Sequence, residues 1–247
     1  MKISIITVCY NSETTLEDTI KSVAAQTYQD IEYIIVDGNS KDETLNIIKK
    51  YPDAVTKWIS EKDRGLYDAM NKGIHMATGD YIGILNSDDT FYEPQTLEKV
   101  AGFLKINNNI DACTGDIVQH KNGRIVRRYS SKKWIPEKLK IGFMAPHPSI
   151  FFKRSLFKKY GDYTLGYKIA SDYELIIRYF LKYTISWKYS GIITTSMMVG
   201  GASSSGMSSY HIITEEVGRA FKENDIKYSP FKVKYRVVWK IFGFLNK

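Results

Sequence analysis

Ile3-Ser4-Ile5-Ile6-Thr7-Val8 and Ile31-Glu32-Tyr33-Ile34-Ile35-Val36 decide the fold of this chain. Both are short runs rich in β-branched residues, the pattern of strands buried in a sheet. Between them, past Tyr10 and Asn11, the residues Leu16, Ile20, Val23 and Ala24 recur at helical spacing. The stretch therefore predicts strand, turn, helix and strand again.

The alternation continues outward. Ser40 with Glu43 has the form of a capping box opening a helix through Leu45 and Ile48. A third strand is expected over residues 55–59, followed by Asp63-Arg64-Gly65 and a helix carrying Leu66, Met70 and Ile74. A fourth strand over 81–85 ends in Asn86-Ser87-Asp88-Asp89, and a helix over 94–106 stops at three asparagines. Connections this short between strands and helices imply a mainly parallel sheet with helices on both faces. Past Asp111, strand-like runs at 112–119 and 124–129 flank Lys121-Asn122-Gly123, a strong hairpin signal that adds antiparallel strands. A strand at 149–152, a helix over 172–183, a strand at 184–189, a Gly/Ser-rich segment at 200–206 with the composition of a lid, and a helix over 231–245 complete the reading. The class is α/β, Rossmann-like, with one domain over 1–226, in two halves that meet at 110, and a basic amphipathic helix at 227–247.

A net charge of +8 and a pI near 9.2 in 247 residues point to an anionic partner. No acid follows Asp225, so part of that excess belongs to the tail. Cys9 and Cys113 both sit in apolar stretches and read as buried thiols, without a disulfide framework or zinc site. No apolar run is long enough to cross a bilayer, and the first strand runs on without a cleavage site, so a cytoplasmic protein is expected.

Ligands of open α/β sheets bind beyond the carboxyl ends of the strands. The distinctive polar residues fall there: Tyr10 and Asn11 after strand one, Asp37 and Gly38 after strand two, Asp63 after strand three, Asn86, Asp88 and Asp89 after strand four. Each alone is an ordinary turn-former or cap; four such endings together suggest one cleft. Acids without His or Cys partners suit a hard cation, Mn²⁺ or Mg²⁺, shared with substrate phosphates. Neither a G-x-G-x-x-G after the first strand nor a P-loop is present, which removes the main support for dinucleotide oxidoreductases and P-loop NTPases.

Five ordered matches carry a resemblance: Thr7 to Asn11, Val36 to Asp42, Asp63-Arg64-Gly65 with Asp68 to Gly73, Asn86 to Asp89, and Ser171-Asp172-Tyr173-Glu174. In this order the chain resembles the family 2 glycosyltransferases of the GT-A fold, particularly bacterial members that build surface polysaccharides. The resemblance implies an inverting transfer from a nucleotide-sugar, with a preference for uridine, to a glycan or lipid-linked acceptor. It implies that Tyr10 and the backbone around Thr7 lie against the base, and that Asp37 and Asp63 accept hydrogen bonds from base or ribose. Asn86-Ser87-Asp88 occupies the place of the family's Asp-x-Asp motif, Asn86 replacing the first acid and Asp88 matching the metal-binding one. Asp172 matches the catalytic base; on local grounds alone it equally reads as part of a helix cap.

His147, between two prolines, could meet an acceptor or be incidental; His211 could add a metal ligand or lie on a helix surface. The C-terminal segment places Lys232, Arg236 and Lys240 on one stripe beside Phe231, Tyr235, Val238, Phe242 and Leu245, with Trp239 near the boundary. That suits peripheral contact with an anionic membrane, and nearly as well a helix packed on the body. Two other functions stay open at this point: a sugar-1-phosphate nucleotidyltransferase and a non-catalytic nucleotide- or glycan-binding protein. Nucleic acid is not among the expected partners.

Overall fold

The computed structural model describes residues 1–121, 123–199 and 207–236. Its elements are β1 (Ile3–Cys9), α1 (Leu16–Ala24), β2 (Ile31–Asp37), α2 (Thr44–Lys49), β3 (Lys57–Ser60), α3 (Leu66–Met76), β4 (Tyr81–Ile84), β5 (Asp89–Phe91) and α4 (Thr96–Ile106). They continue with β6 (Ala112–Lys121), β7 (Arg124–Tyr129), β8 (Ile150–Lys153), α5 (Ser155–Tyr160), α6 (Ser171–Ile177), β9 (Trp187–Met198), α7 (Met207–Glu223) and α8 (Pro230–Lys234).

One sheet runs β3-β2-β1-β4-β8-β6-β9-β5, with β7 beside β6. The first four strands are parallel, Ile3 opposite Ile31 and Ile34 opposite Lys57. β8 then enters antiparallel to both β4 and β6, so the sheet passes unbroken from the first half of the chain into the second. Alternate side chains of β1 feed two cores. Ile3, Ile5 and Cys9 pack with α1, α2 and α4; Ile6 and Val8 pack with α3, α6 and α7. This two-faced burial is why the strands read as continuous apolar runs. Gly73 permits the close approach of α3, since a Cβ there would run into the Ile6 side chain.

Several expected boundaries move. The capping box does not form: the Ser40 hydroxyl and N–H both turn back to Asp37, and α2 starts at Thr44, whose N–H is taken by Asp42 Oδ1 at 3.1 Å. The helix expected over 172–183 is α-helical to Ile177 and then widens into a π turn over Arg178–Lys182. There the Arg178 guanidinium is drawn to Glu174 and to the carbonyls of Tyr160, Gly161 and Asp162. The last strand is twelve residues long because it pairs along β6 and then with β5.

The C-terminal segment departs from the expected amphipathic stripe. Val233 and Arg236 turn inward, and Arg236 Nη1 donates to Thr214 Oγ1 at 2.7 Å and lies over the Tyr210 ring. Phe231, Lys232, Lys234 and Tyr235 point outward. The inward turn has a packing cause: Ser229 N–H is held by the Lys140 carbonyl, which fixes α8 against the turn at Pro136–Ile141. Val238, Trp239, Lys240, Phe242 and Leu245, like the 200–206 segment, lie outside the described residues. Among the described residues no helix is long and apolar enough to cross a membrane.

Candidate active site

Tyr10 leaves β1 with its ring 63% exposed, and Asn11 follows in the left-handed region at φ +48°. Asn39 after β2 takes the same conformation at φ +68°. Asparagine tolerates that geometry better than other non-glycine residues, which explains its place at both strand ends. The two loops are tied together: Asn11 N–H donates to Ser40 Oγ, and Lys41 N–H donates to Asn11 Oδ1 at 2.9 Å. Asn11 thus shapes the loop through its amide.

Gly38 lies between Tyr10 and Asp63. A Cβ there would stand 2.5 Å from Asp63 Oδ2 and 3.3 Å from Tyr10 Cδ2. An exposed aromatic face, a bare backbone and a carboxylate therefore meet at one point of the sheet edge. Asp63 is half-buried, its Oδ1 accepting from Gly65 N–H at 2.8 Å and its other oxygen facing Gly38.

Asp37, expected to bond base or ribose, turns inward, as does the side chain of Thr7, of which only the backbone was expected at the base. Asp37 is fully buried, its carboxylate taken by the Ser40 hydroxyl and N–H and by Ser60 Oγ at 2.6 Å, with Cys9 Sγ alongside. It ties the ends of β1, β2 and β3 and has no surface left for a nucleotide. Thr7 points into the core on the α1 face, where its hydroxyl meets Tyr33 at 3.1 Å.

The Asn86-Asp89 turn is joined to the first loop by a Ser12–Ser87 hydroxyl contact of 3.1 Å. Asn86 spends its amide N–H on Asp89 Oδ2 at 3.0 Å, not on the solvent side. Asp89 is buried; that burial, then the charge of Asp88, pushes its carboxyl up to about 7. Asp88 is half-buried and makes no hydrogen bond or ion pair among the described residues. Those residues also contain no cluster of three His, Cys, Asp or Glu side chains that would enclose a metal. A lone, unengaged carboxylate at a sheet edge fits the mode in which Mn²⁺ or Mg²⁺ is held by one or two acids together with substrate phosphates.

Asp172 lies in the first turn of α6. It does not cap: α6 has no side-chain cap bond at its start, and Ser171 Oγ goes to the Thr164 carbonyl. The carboxylate accepts from Tyr173 N–H at 2.7 Å and lies 3.4 Å from the Tyr67 hydroxyl, which also donates to the Ile169 carbonyl. Burial pushes this carboxyl up to about 6 against those hydrogen bonds, with a smaller push from Glu216. At pH 7 the ionised form then prevails by about ten to one, a carboxylate of raised basicity. Tyr67 is the residue that joins the two halves of the site, since it follows Asp63 by one turn at the head of α3.

His147 lies in the interior. It is buried, its Nε2 2.6 Å from the Tyr163 hydroxyl, and burial drives its pKa down to about 4, so it stays neutral. Tyr163 in turn stacks on Tyr67 at 5.6 Å. His211 is exposed on α7 against Tyr210. Sequence reading missed Tyr67, Tyr163 and Glu216, and nothing local marks them.

Residues 4–162 match the family described as Glycosyl transferase family 2. A "PGL/p-HBAD biosynthesis glycosyltransferase" of Mycobacterium bovis is 32% identical over 200 residues, 78% of this chain and 75% of its own length. An uncharacterized glycosyltransferase of Mycobacterium tuberculosis is 35% identical over 185 residues, 71% of this chain and 68% of its own. Among solved structures, S. aureus TarS 1-349 in complex with UDP-GlcNAc superposes with a TM-score of 0.71 at 20% identity, covering 90% of this chain and 66% of that one. The mannosyltransferase PcManGT from Pyrobaculum calidifontis, in complex with GDP-Man and Mn2+, gives 0.68 at 17% identity over 94% of this chain and 67% of that one. The structural likeness carries the fold, the sequence matches carry the family, and together they make this chain a member of glycosyltransferase family 2, an enzyme of the GT-A fold.

Proposed function

We propose that this glycosyltransferase moves a sugar, with inversion, from a nucleoside diphosphate donor, uridine-linked, to a hydroxyl of a glycan or lipid-linked acceptor in cell-surface polysaccharide synthesis. The observation that carries the reading is the link through Tyr67: the same helix start that follows Asp63 touches the raised carboxyl of Asp172. A base is thereby held next to the donor edge.

In this reading the nucleobase lies on Tyr10 over Gly38, with Asp63 accepting from base or ribose, while Asn86 Oδ1 remains for a ribose hydroxyl. Asp88 would hold Mn²⁺ or Mg²⁺, which supplies neutralisation of the charge growing on the departing diphosphate. Asp172 accepts the proton of the acceptor hydroxyl as its oxygen bonds to the anomeric carbon. The bond from that carbon to the phosphate oxygen breaks, and its electron pair leaves with the nucleoside diphosphate. Acids without a bridging cation would repel the donor, so metal dependence follows from the charge pattern. Two neighbours solved with nucleotide-sugars support the donor class. Exposed Phe231, Lys232, Lys234 and Tyr235 support peripheral contact with an anionic membrane, where a lipid-linked acceptor resides.

Asp172→Asn is the test. Transfer should fall by about 10²- to 10⁴-fold while donor affinity stays unchanged, as for a base that acts in the transition state. An anomeric configuration retained in the product, or a loss of donor binding equal to the loss of turnover, would refute the assignment.

A further inference from the structure

Asp172 ends a backbone segment whose N–H groups are spent in an unusual way. Lys168 N–H donates to Glu216 Oε1 at 2.5 Å, and Ile169 and Ala170 N–H donate to Glu216 Oε2 at 3.0 and 2.9 Å. Three consecutive donors thus converge on one carboxylate supplied by α7. α6 has no cap bond of its own, so Glu216 satisfies from another helix the donors that lead into it. From the opposite side the Tyr67 hydroxyl, on α3, takes the Ile169 carbonyl and faces Asp172 Oδ1. The segment is gripped by α7 on its N–H side and by α3 on its carbonyl side.

We propose that Glu216 is a positioning residue for Asp172, clamping the 168–172 segment together with Tyr67 and supplying the negative charge that the Asp172 carboxyl faces. The inference rests on the reading of Asp172 as the base. The groups facing Asp172 are the hydroxyls of Tyr67 and Tyr163, its neighbour Tyr173, and Glu216; none of the four is a cation. Arg219, one turn along α7, faces Glu216 but is paired with Glu223 at 2.7 Å. The two arms of the clamp therefore act oppositely on the proton of Asp172. The Glu216 charge favours keeping it, and the Tyr67 hydrogen bond favours releasing it. Tyr67 itself keeps its proton, because burial and the charge of Asp172 hold it well above its usual range. A Glu216 that only satisfied the backbone N–H groups, without bearing on Asp172, would leave the Asp172 titration where it is.

The test follows the ¹³C resonance of the Asp172 carboxyl in protein labelled at aspartate, assigned by its disappearance in Asp172→Asn. In the wild-type chain it should titrate near 6. Glu216→Gln should lower that midpoint, and Tyr67→Phe should raise it. The acid limb of the transfer-rate profile should move in the same two directions. Unchanged midpoints, or shifts of one sign in both variants, overturn the clamp. Tyr67→Phe decides the matter by itself if Glu216→Gln fails to fold, since an unmoved or lowered midpoint there also overturns it. An Asp172→Asn chain that transfers as fast as wild type would instead refute the base assignment, and would leave the titration result standing.

Discussion

His147→Gln should make the enzyme more tolerant of acid, although it removes a buried aromatic-rich contact. In the folded chain burial holds His147 at about 4, against an ordinary value of 6.5. A depressed histidine contributes stability that is complete above 6.5 and is lost as pH falls towards 4, because the unfolded chain takes up a proton the folded chain refuses. At about 1.4 kcal/mol per tenfold difference in proton affinity, the loss is about 2 kcal/mol by pH 5 and about 3 kcal/mol by pH 4. The carboxyls of half-buried Asp172 and buried Asp89 work the other way over the same range, since both bind protons more tightly when folded. Wild-type stability alone therefore shows only the sum, and the difference between the two proteins isolates His147. Glutamine places an amide nitrogen near the position of Nε2 and carries no titratable group. Urea unfolding followed by the fluorescence of the four tryptophans, at pH 7.5 and pH 5, gives the two differences. The variant should be the less stable at pH 7.5, through its poorer fit against Tyr163, and should recover about 2 kcal/mol relative to wild type by pH 5. Equal changes in both proteins across that range would refute the claim that His147 is held neutral by burial.

Asp88→Ala should abolish metal-dependent binding of UDP, read by titration calorimetry with and without Mn²⁺, and leave the unfolding free energy within about 0.5 kcal/mol, as for a side chain with no packing role. Gly38→Ala should weaken donor binding at least about tenfold, or about 1.4 kcal/mol, because the new methyl pushes on Asp63 and Tyr10; the same calorimetry checks it. Replacing Phe231 and Tyr235 by Ser and Lys232 and Lys234 by Glu should release the protein from phosphatidylglycerol vesicles in a sedimentation assay, with the wild-type interaction weakening as salt rises. These outward positions are better probes than truncation, which would also strip Val233 and Arg236 from the body.

The parallel half of the sheet was legible because its strands are buried on both faces and its helices follow within a few residues. β5 was not: Asp89-Thr90-Phe91 is too short to show a period, and it exists only by pairing with Met197, Ser196 and Thr195 far along the chain. β9 hid its length behind Ser190 and Gly191, which break its pattern and sit in an irregularity where the register against β6 shifts between Thr114 and Asp116. The site was legible as a set of strand endings but not as a division of labour. An aspartate after a strand reads alike whether it stays half-exposed at the sheet edge, as Asp63 does, or ties three strands together, as Asp37 does; only burial separates them. His147 between prolines reads as a polar turn that could meet an acceptor, and it is Tyr163 that it meets instead. Glu216 gave no signal, since its partners lie 46 to 48 residues upstream and its own helix looks like any amphipathic surface helix.

The position of α3 explains how such a divided site can act as one. At its entry, Asp68 accepts from the Arg64 N–H at 3.0 Å and from the Arg64 guanidinium at 2.9 Å, which fixes the Asp63-Arg64-Gly65 turn. Beside it Tyr67 reaches the Asp172 segment, and one turn further Asn71 exchanges two hydrogen bonds with the backbone of Tyr163 at 2.8 and 2.9 Å. The same helix is seated on β1 through Gly73. The separation between the donor edge and the carboxyl of Asp172 is therefore set by successive turns of a helix, each bonded to the segment it positions. A displacement needs the acceptor oxygen, the anomeric carbon and the leaving oxygen in line, and an error of about 1 Å costs of the order of 10²-fold in rate. Loops alone hold such spacing poorly. A helix seated between the Asp63 turn and the Asp172 segment, with Glu216 on the N–H side of that segment, would supply the rigidity that the proposed in-line attack requires.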